Sequence, residues 1–95
     1  MTSIEDRFND FHATNPEVYR LFDRFTREVI KQGHPRFSAD AILHRIRWET
    51  TVVTRGDQFK INDHFSAYYA RTWMAANPKH DGFFATRTLR EALAA

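Results

Sequence analysis

The chain predicts a mostly α domain with a small β element, namely a winged helix-turn-helix-like bundle of three helices with a short hairpin or sheet beside it. Three observations carry this expectation. Apolar residues recur at helical spacing in three long segments, separated by Pro, Gly and Asn signals. Runs of β-branched and aromatic residues at 50–54 and 83–90 have the composition of strands. No repeat, linker or low-complexity stretch divides the 95 residues, which suffice for one small core.

The expected organisation is one domain over 1–95: an N-terminal helical arm at 1–14, a winged-helix-like core at 15–90 and a frayed tail at 91–95. In the arm, Ile4, Phe8 and Phe11 share helical spacing, and Ser3 is a suitable N-cap. Asn15-Pro16-Glu17 opens the first core helix, with a capping Asn, Pro at the first helical position and an acid in the first turn. Val18, Leu21, Phe22, Phe25 and Val29 form its apolar stripe, widened by Tyr19 and Ile30, and Gly33 with Pro35 ends it. Ser38 opens the second helix, in which Ala39, Ile42, Leu43 and Ile46 face the core and Trp48 projects nearly opposite.

Thr50 to Thr54 then favours a strand, Arg55-Gly56-Asp57 a turn, and Phe59-Lys60-Ile61 a short return strand. Asn62 is the expected cap of the third helix, 63–77, with Phe65, Tyr68, Tyr69, Thr72, Trp73 and Ala76 facing inward. The other face carries Asp63, His64, Ala67, Ala70, Arg71 and Met74. Small residues around one Arg suggest that something approaches this helix closely. Asn77-Pro78 ends it, and Phe83 to Arg90 reads as a wing strand after the Asp81-Gly82 turn.

Composition narrows the function. An apolar fraction of 42% with 15% aromatic residues argues against disorder. The absence of cysteine excludes disulfides, thiolate catalysis and thiolate-bound zinc. No apolar run approaches the ~18 residues of a membrane span, and the polar start is no secretory signal, so an intracellular, non-membrane protein is expected. The net charge is only +2, yet eleven of the fourteen cations are Arg, and residues 33–95 carry +3 against −1 for 1–32.

In a winged helix the third helix enters the major groove and the wing contacts phosphate or an adjacent groove. Double-stranded DNA is therefore the expected partner, with Asn62, His64, Ser66 and Arg71 on the third helix, Arg45 and Arg47 on the second, and Lys79, Arg87 and Arg90 near or on the wing. One departure from that pattern is the twelve-residue connection from Thr50 to Ile61, where a helix-turn-helix has three or four residues.

The chain also resembles small uncharacterised proteins encoded by bacteriophages and prophages. The resemblance rests on Phe11-His12-Ala13-Thr14-Asn15-Pro16-Glu17-Val18-Tyr19, on Arg36-Phe37-Ser38-Ala39 through Ile46-Arg47-Trp48-Glu49-Thr50, and on Phe59-Lys60-Ile61-Asn62 through Tyr69-Ala70-Arg71. It implies a phage or mobile-element protein acting in a bacterial cytoplasm, either as a DNA-binding accessory or regulator or as an inhibitor of a host protein. No functional residue comes with it.

Enzymatic constellations are not evident. The five histidines stand at no metal-helix spacing, and a zinc site from distant residues such as His64, His80 and Asp81 has no local signature. Asp40, Glu49, Asp57 and Lys60 lack the paired acids and acid-x-Lys spacing of a magnesium nuclease. A non-enzymatic protein without metal, cofactor or small-molecule substrate is expected. Arg55-Gly56-Asp57 is a turn rather than an adhesion motif. Arg20, Arg24, Arg27 and Lys31 read as a solvated helix face, partly paired by Asp23 and Glu28, or as part of a phosphate surface. The competing function is a protein-interaction module, a homodimer or an inhibitor of a host protein, that uses Ala67, Ala70 and Met74. Trp48 reads either as core or as an exposed anchor.

Overall fold

Ser3 begins the first helix by accepting a hydrogen bond from the Asp6 amide at 3.1 Å, and α1 runs Ile4–Thr14. In this computed structural model, which describes residues 3–50, 61–62 and 64–84, three more helices follow. These are α2 (Pro16–Lys31), α3 (Ala39–Trp48) and α4 (Phe65–Ala76), and a 3-10 turn at Pro78–His80 closes the described chain's helical part.

Local chemistry sets the helix ends. The Ser38 hydroxyl accepts from the Ala41 amide at 3.2 Å to start α3. At the end of α2, Gly33 adopts φ +94°, its N–H reaches the Ile30 carbonyl, and the His34 N–H reaches that of Val29. This is a Schellman closure, and the left-handed position explains the glycine. Two Asn-Pro corners share one geometry. Asn15 (φ −126°, ψ 65°) and Asn77 (φ −130°, ψ 68°) each precede a proline that keeps them out of the helical region. Each donates its side-chain amide back to the carbonyl four residues earlier, Asn15 to Phe11 at 3.2 Å and Asn77 to Trp73 at 2.8 Å. The expected capping Asn15 thus closes α1 and makes no side-chain cap to α2.

Packing places α2 and α4 at the centre. Each touches the other three helices, whereas α1 and α3 share no extensive contact with each other. α1 joins the core through Phe8, whose ring meets Tyr69 edge-on at 4.7 Å. Tyr69 also stacks on Phe22 of α2 at 5.5 Å. Beyond it, Trp73 donates its indole N–H to Asp23 at 2.8 Å, and Asp23 also takes the Arg27 Nε at 2.9 Å. Arg27 in turn reaches the Asn77 side chain at 2.8 Å, so one polar network fastens α2 to the end of α4.

The winged helix-turn-helix expectation is overturned. Among the described residues the architecture is an all-α four-helix bundle without a strand, hairpin or sheet. The one β-type pairing there is a single parallel bridge, Phe37 to Phe84, with the Phe37 N–H on the Phe83 carbonyl at 3.2 Å. Phe83 and Phe84 do not begin an exposed wing. Both are buried, Phe84 against Phe22 and Trp73, and they plug one end of the bundle. Thr50, expected to open a strand, continues the helical path of α3 with its hydroxyl on the Ile46 carbonyl at 2.9 Å. The strand residues expected at 51–60 and 85–90, with Arg87 and Arg90, and the tail at 91–95 lie outside the described residues.

Candidate functional site

The third long helix does not offer the surface expected of it. The residues buried on α4 are Phe65, Tyr69, Ala70, Trp73 and Met74, so Ala70 and Met74 belong to the core rather than to a free face. The Phe65–Tyr69–Trp73 spine appears as expected, but the buried arc extends around the helix because three others pack on it. Tyr68 and Thr72 are only half-buried, and Ala76 is exposed. A central helix of this kind cannot lie in a DNA groove, which removes the major-groove reading. For the same reason Ala67, Ala70 and Met74 do not form an interaction patch.

The expected nucleic-acid residues separate in space. Asn62 accepts the His64 amide at 2.9 Å on its side chain and the Phe65 amide at 3.0 Å on its carbonyl, so it shapes the entry to α4. His64 is exposed and Ser66 half-buried at that end, and the exposed Lys79 lies past the other end, about 20 Å along the helix direction. Arg71 sits 4.4 Å over the Tyr68 ring, on the side where Tyr68 stacks on Phe8 of α1. Arg45 instead lies 4.4 Å over Phe25 of α2. Arg47 donates through Nε and Nη2 to the Ile61 carbonyl, at 3.3 and 3.1 Å, and ties α3 to the start of α4. Arg45, Arg47 and Arg71 thus engage three different neighbours: Phe25, the Ile61 carbonyl and Tyr68.

What does gather lies on the outer side of α3 and in the cleft beside it. Asp40, Ala41, His44, Arg45 and Trp48 are the exposed residues of α3. Ala41 and Trp48, seven residues apart, fall on one line opposite the buried Ile42, Leu43 and Ile46. Trp48 is 55% exposed and is the one large apolar side chain among the described residues in that state. Arg45 on one flank is 3.7 Å from Glu49, and Arg47 on the other flank meets His44 Nδ1 at 3.4 Å.

Arg45 also borders a groove of ≈460 Å³ between α3 and the end of α2. Val29 and Phe37 supply its apolar lining, and Glu28, Lys31, Gln32 and His34 supply the polar one. No sequence pattern announces this groove. Its nearest signal was the Gly33-x-Pro35 turn, which places His34 and Phe37 beside a helix end.

Two further classes of site receive no support from the geometry. No three His, Asp or Glu side chains among the described residues gather as a metal site requires. No helix among them is long and apolar enough to cross a membrane. Fold and surface together define, among the described residues, a small all-α domain whose distinguishing exterior feature is an exposed tryptophan on one helix. No family model, curated protein or solved structure matches the chain, so this description rests on its own residues.

Proposed function

We propose that the protein is a non-enzymatic protein-interaction domain, and that the outer face of α3 around Trp48 is its contact surface. The exposure of Trp48 carries this reading. Its indole lies on the helix face turned away from the core, where burial by a partner removes an aromatic of the type that dominates interface energetics. Ala41, two turns earlier on the same line, leaves room for a partner side chain beside the indole. The balance of charge supports a protein rather than a polyanion: Asp40 and Glu49 offset Arg45 and Arg47, so the face has little net attraction for a phosphate backbone. In the setting that the phage resemblance implies, the partner is a bacterial host protein.

Site-specific photo-crosslinking in a bacterial cytoplasm tests this reading. A crosslinker at Ala41 is expected to yield discrete adducts that Trp48→Ala weakens by about ten-fold or more, the effect of losing a buried aromatic anchor. A crosslinker at Arg20, an exposed residue of α2, serves as the control. Equal adduct patterns from both positions, or adducts indifferent to Trp48→Ala, overturn the proposal.

A further inference from the structure

We infer that the α2–α3 groove beside this face receives an acidic segment of the partner protein in which carboxylates alternate with apolar side chains. The inference rests on the interaction reading above and adds the chemistry of the partner. Cations reach the groove from two separate elements, Lys31 on α2 and Arg45 on α3, and the His34 imidazole joins them from the loop between. Among the described residues Glu28 is the one carboxylate lining the groove, and Arg24 stands 3.8 Å from it.

At 3.8 Å for Arg24–Glu28 and 3.7 Å for Arg45–Glu49, these are loose charge pairs rather than hydrogen bonds. Both guanidiniums instead lie over the Phe25 ring, Arg24 at 5.6 Å and Arg45 at 4.4 Å. Their donor groups therefore remain available to an incoming carboxylate, which an Arg fork binds in a bidentate manner. Helix-end carbonyls usually repel such a group, but those of Val29 and Ile30 are already engaged by the His34 and Gly33 N–H groups. The apolar lining of Val29 and Phe37 accepts the side chains between the carboxylates. A nucleic acid fits less well, because a sugar-phosphate backbone brings no apolar side chains to the Val29 and Phe37 lining.

The test uses the whole chain and three fluorescent probes: a peptide alternating Glu with Leu, its counterpart with Gln for every Glu, and a short single-stranded oligonucleotide. Anisotropy is expected to show the Glu peptide binding about ten-fold tighter than the Gln peptide, the scale of a close charge pair at an interface. In NMR spectra the Arg45 Nε–H and the Gln32 side-chain amide shift with it. Lys31→Gln and Arg45→Gln each reduce the preference, and the first changes an exposed residue outside the packed core. Equal affinity for both peptides overturns the inference, as does an oligonucleotide that binds as tightly with the same shifts. Crosslinking from Ala41 that persists without a peptide preference removes this inference alone. Loss of Trp48-dependent crosslinking with the preference intact removes the α3 face instead.

Discussion

Tyr69 shows how a single residue couples this core to pH. Its ring is fully buried between Phe8 and Phe22, and its hydroxyl has no hydrogen-bond partner there. Burial, with a smaller contribution from the negative charge of Glu17, pushes its pKa well above the ordinary value of 10.0. The folded state therefore keeps a proton that the unfolded chain releases at alkaline pH. Stability from this group is complete below about pH 10 and falls as pH rises further, by at most about 1.4 kcal/mol per pH unit. Tyr19 shifts in the same direction, mainly through desolvation. Tyr69→Phe removes the orphaned hydroxyl, so urea unfolding at pH 7 is expected to show unchanged or raised stability, by up to about 1 kcal/mol. The same variant should lose less stability than the parent between pH 10 and pH 11. A loss of more than about 2 kcal/mol at pH 7 would mean that the hydroxyl is satisfied after all.

At the scale of elements, the helices follow local signals closely. Ser3 and Ser38 cap as their sequence positions suggest, and Gly33 ends α2 where Gly and Pro predict a stop. At Gly33 an added Cβ meets nothing within 4 Å, so only backbone strain at φ +94° opposes a side chain. Gly33→Ala is expected to lower stability by about 1–2 kcal/mol in thermal or urea unfolding. Gly33→Asn should cost less, since Asn visits the left-handed region more readily, and an Ala variant as stable as the parent would refute the closure. Less legible was how far each helix is surrounded. Periodicity assigns α4 one inward stripe, and Phe65, Tyr69 and Trp73 lie on it. Ala70 and Met74 are also buried because α1, α2 and α3 all pack on α4, a tertiary fact no single-helix pattern encodes. Aromatic, β-branched composition misled at Phe83-Phe84 for a related reason: such residues suit a strand and a buried plug equally well. Trp48 was legible as a residue off the core stripe. The groove was not, because Lys31, His34 and Arg45 come together only through the way α2, its loop and α3 turn back on one another.

For the whole molecule, the distribution of charge decides between partners more firmly than its sum. A net charge of +2 permits weak attraction to any polyanion, and the surplus of Arg invites a nucleic-acid reading. Yet Arg27 is held by Asp23 and Asn77, Arg47 by the Ile61 carbonyl, and Arg71 lies over Tyr68. Arg45 lies over Phe25 of α2, whereas Arg71 lies over Tyr68, whose ring stacks on Phe8 of α1. The helix expected to enter the groove is instead the packed centre of the bundle. Binding of the full chain to duplex DNA is therefore expected no tighter than the non-specific range, about 10⁻⁴ to 10⁻⁶ M. It should carry a log–log salt slope shallower than about −4.5, the value that five neutralised phosphates give. Anisotropy titrations of a labelled duplex at two or more salt concentrations measure both quantities. Nanomolar, sequence-dependent binding at about 0.15 M salt would show that the cations converge after all, and Trp48→Ala, which leaves every one of them in place, should not alter the DNA result in either direction.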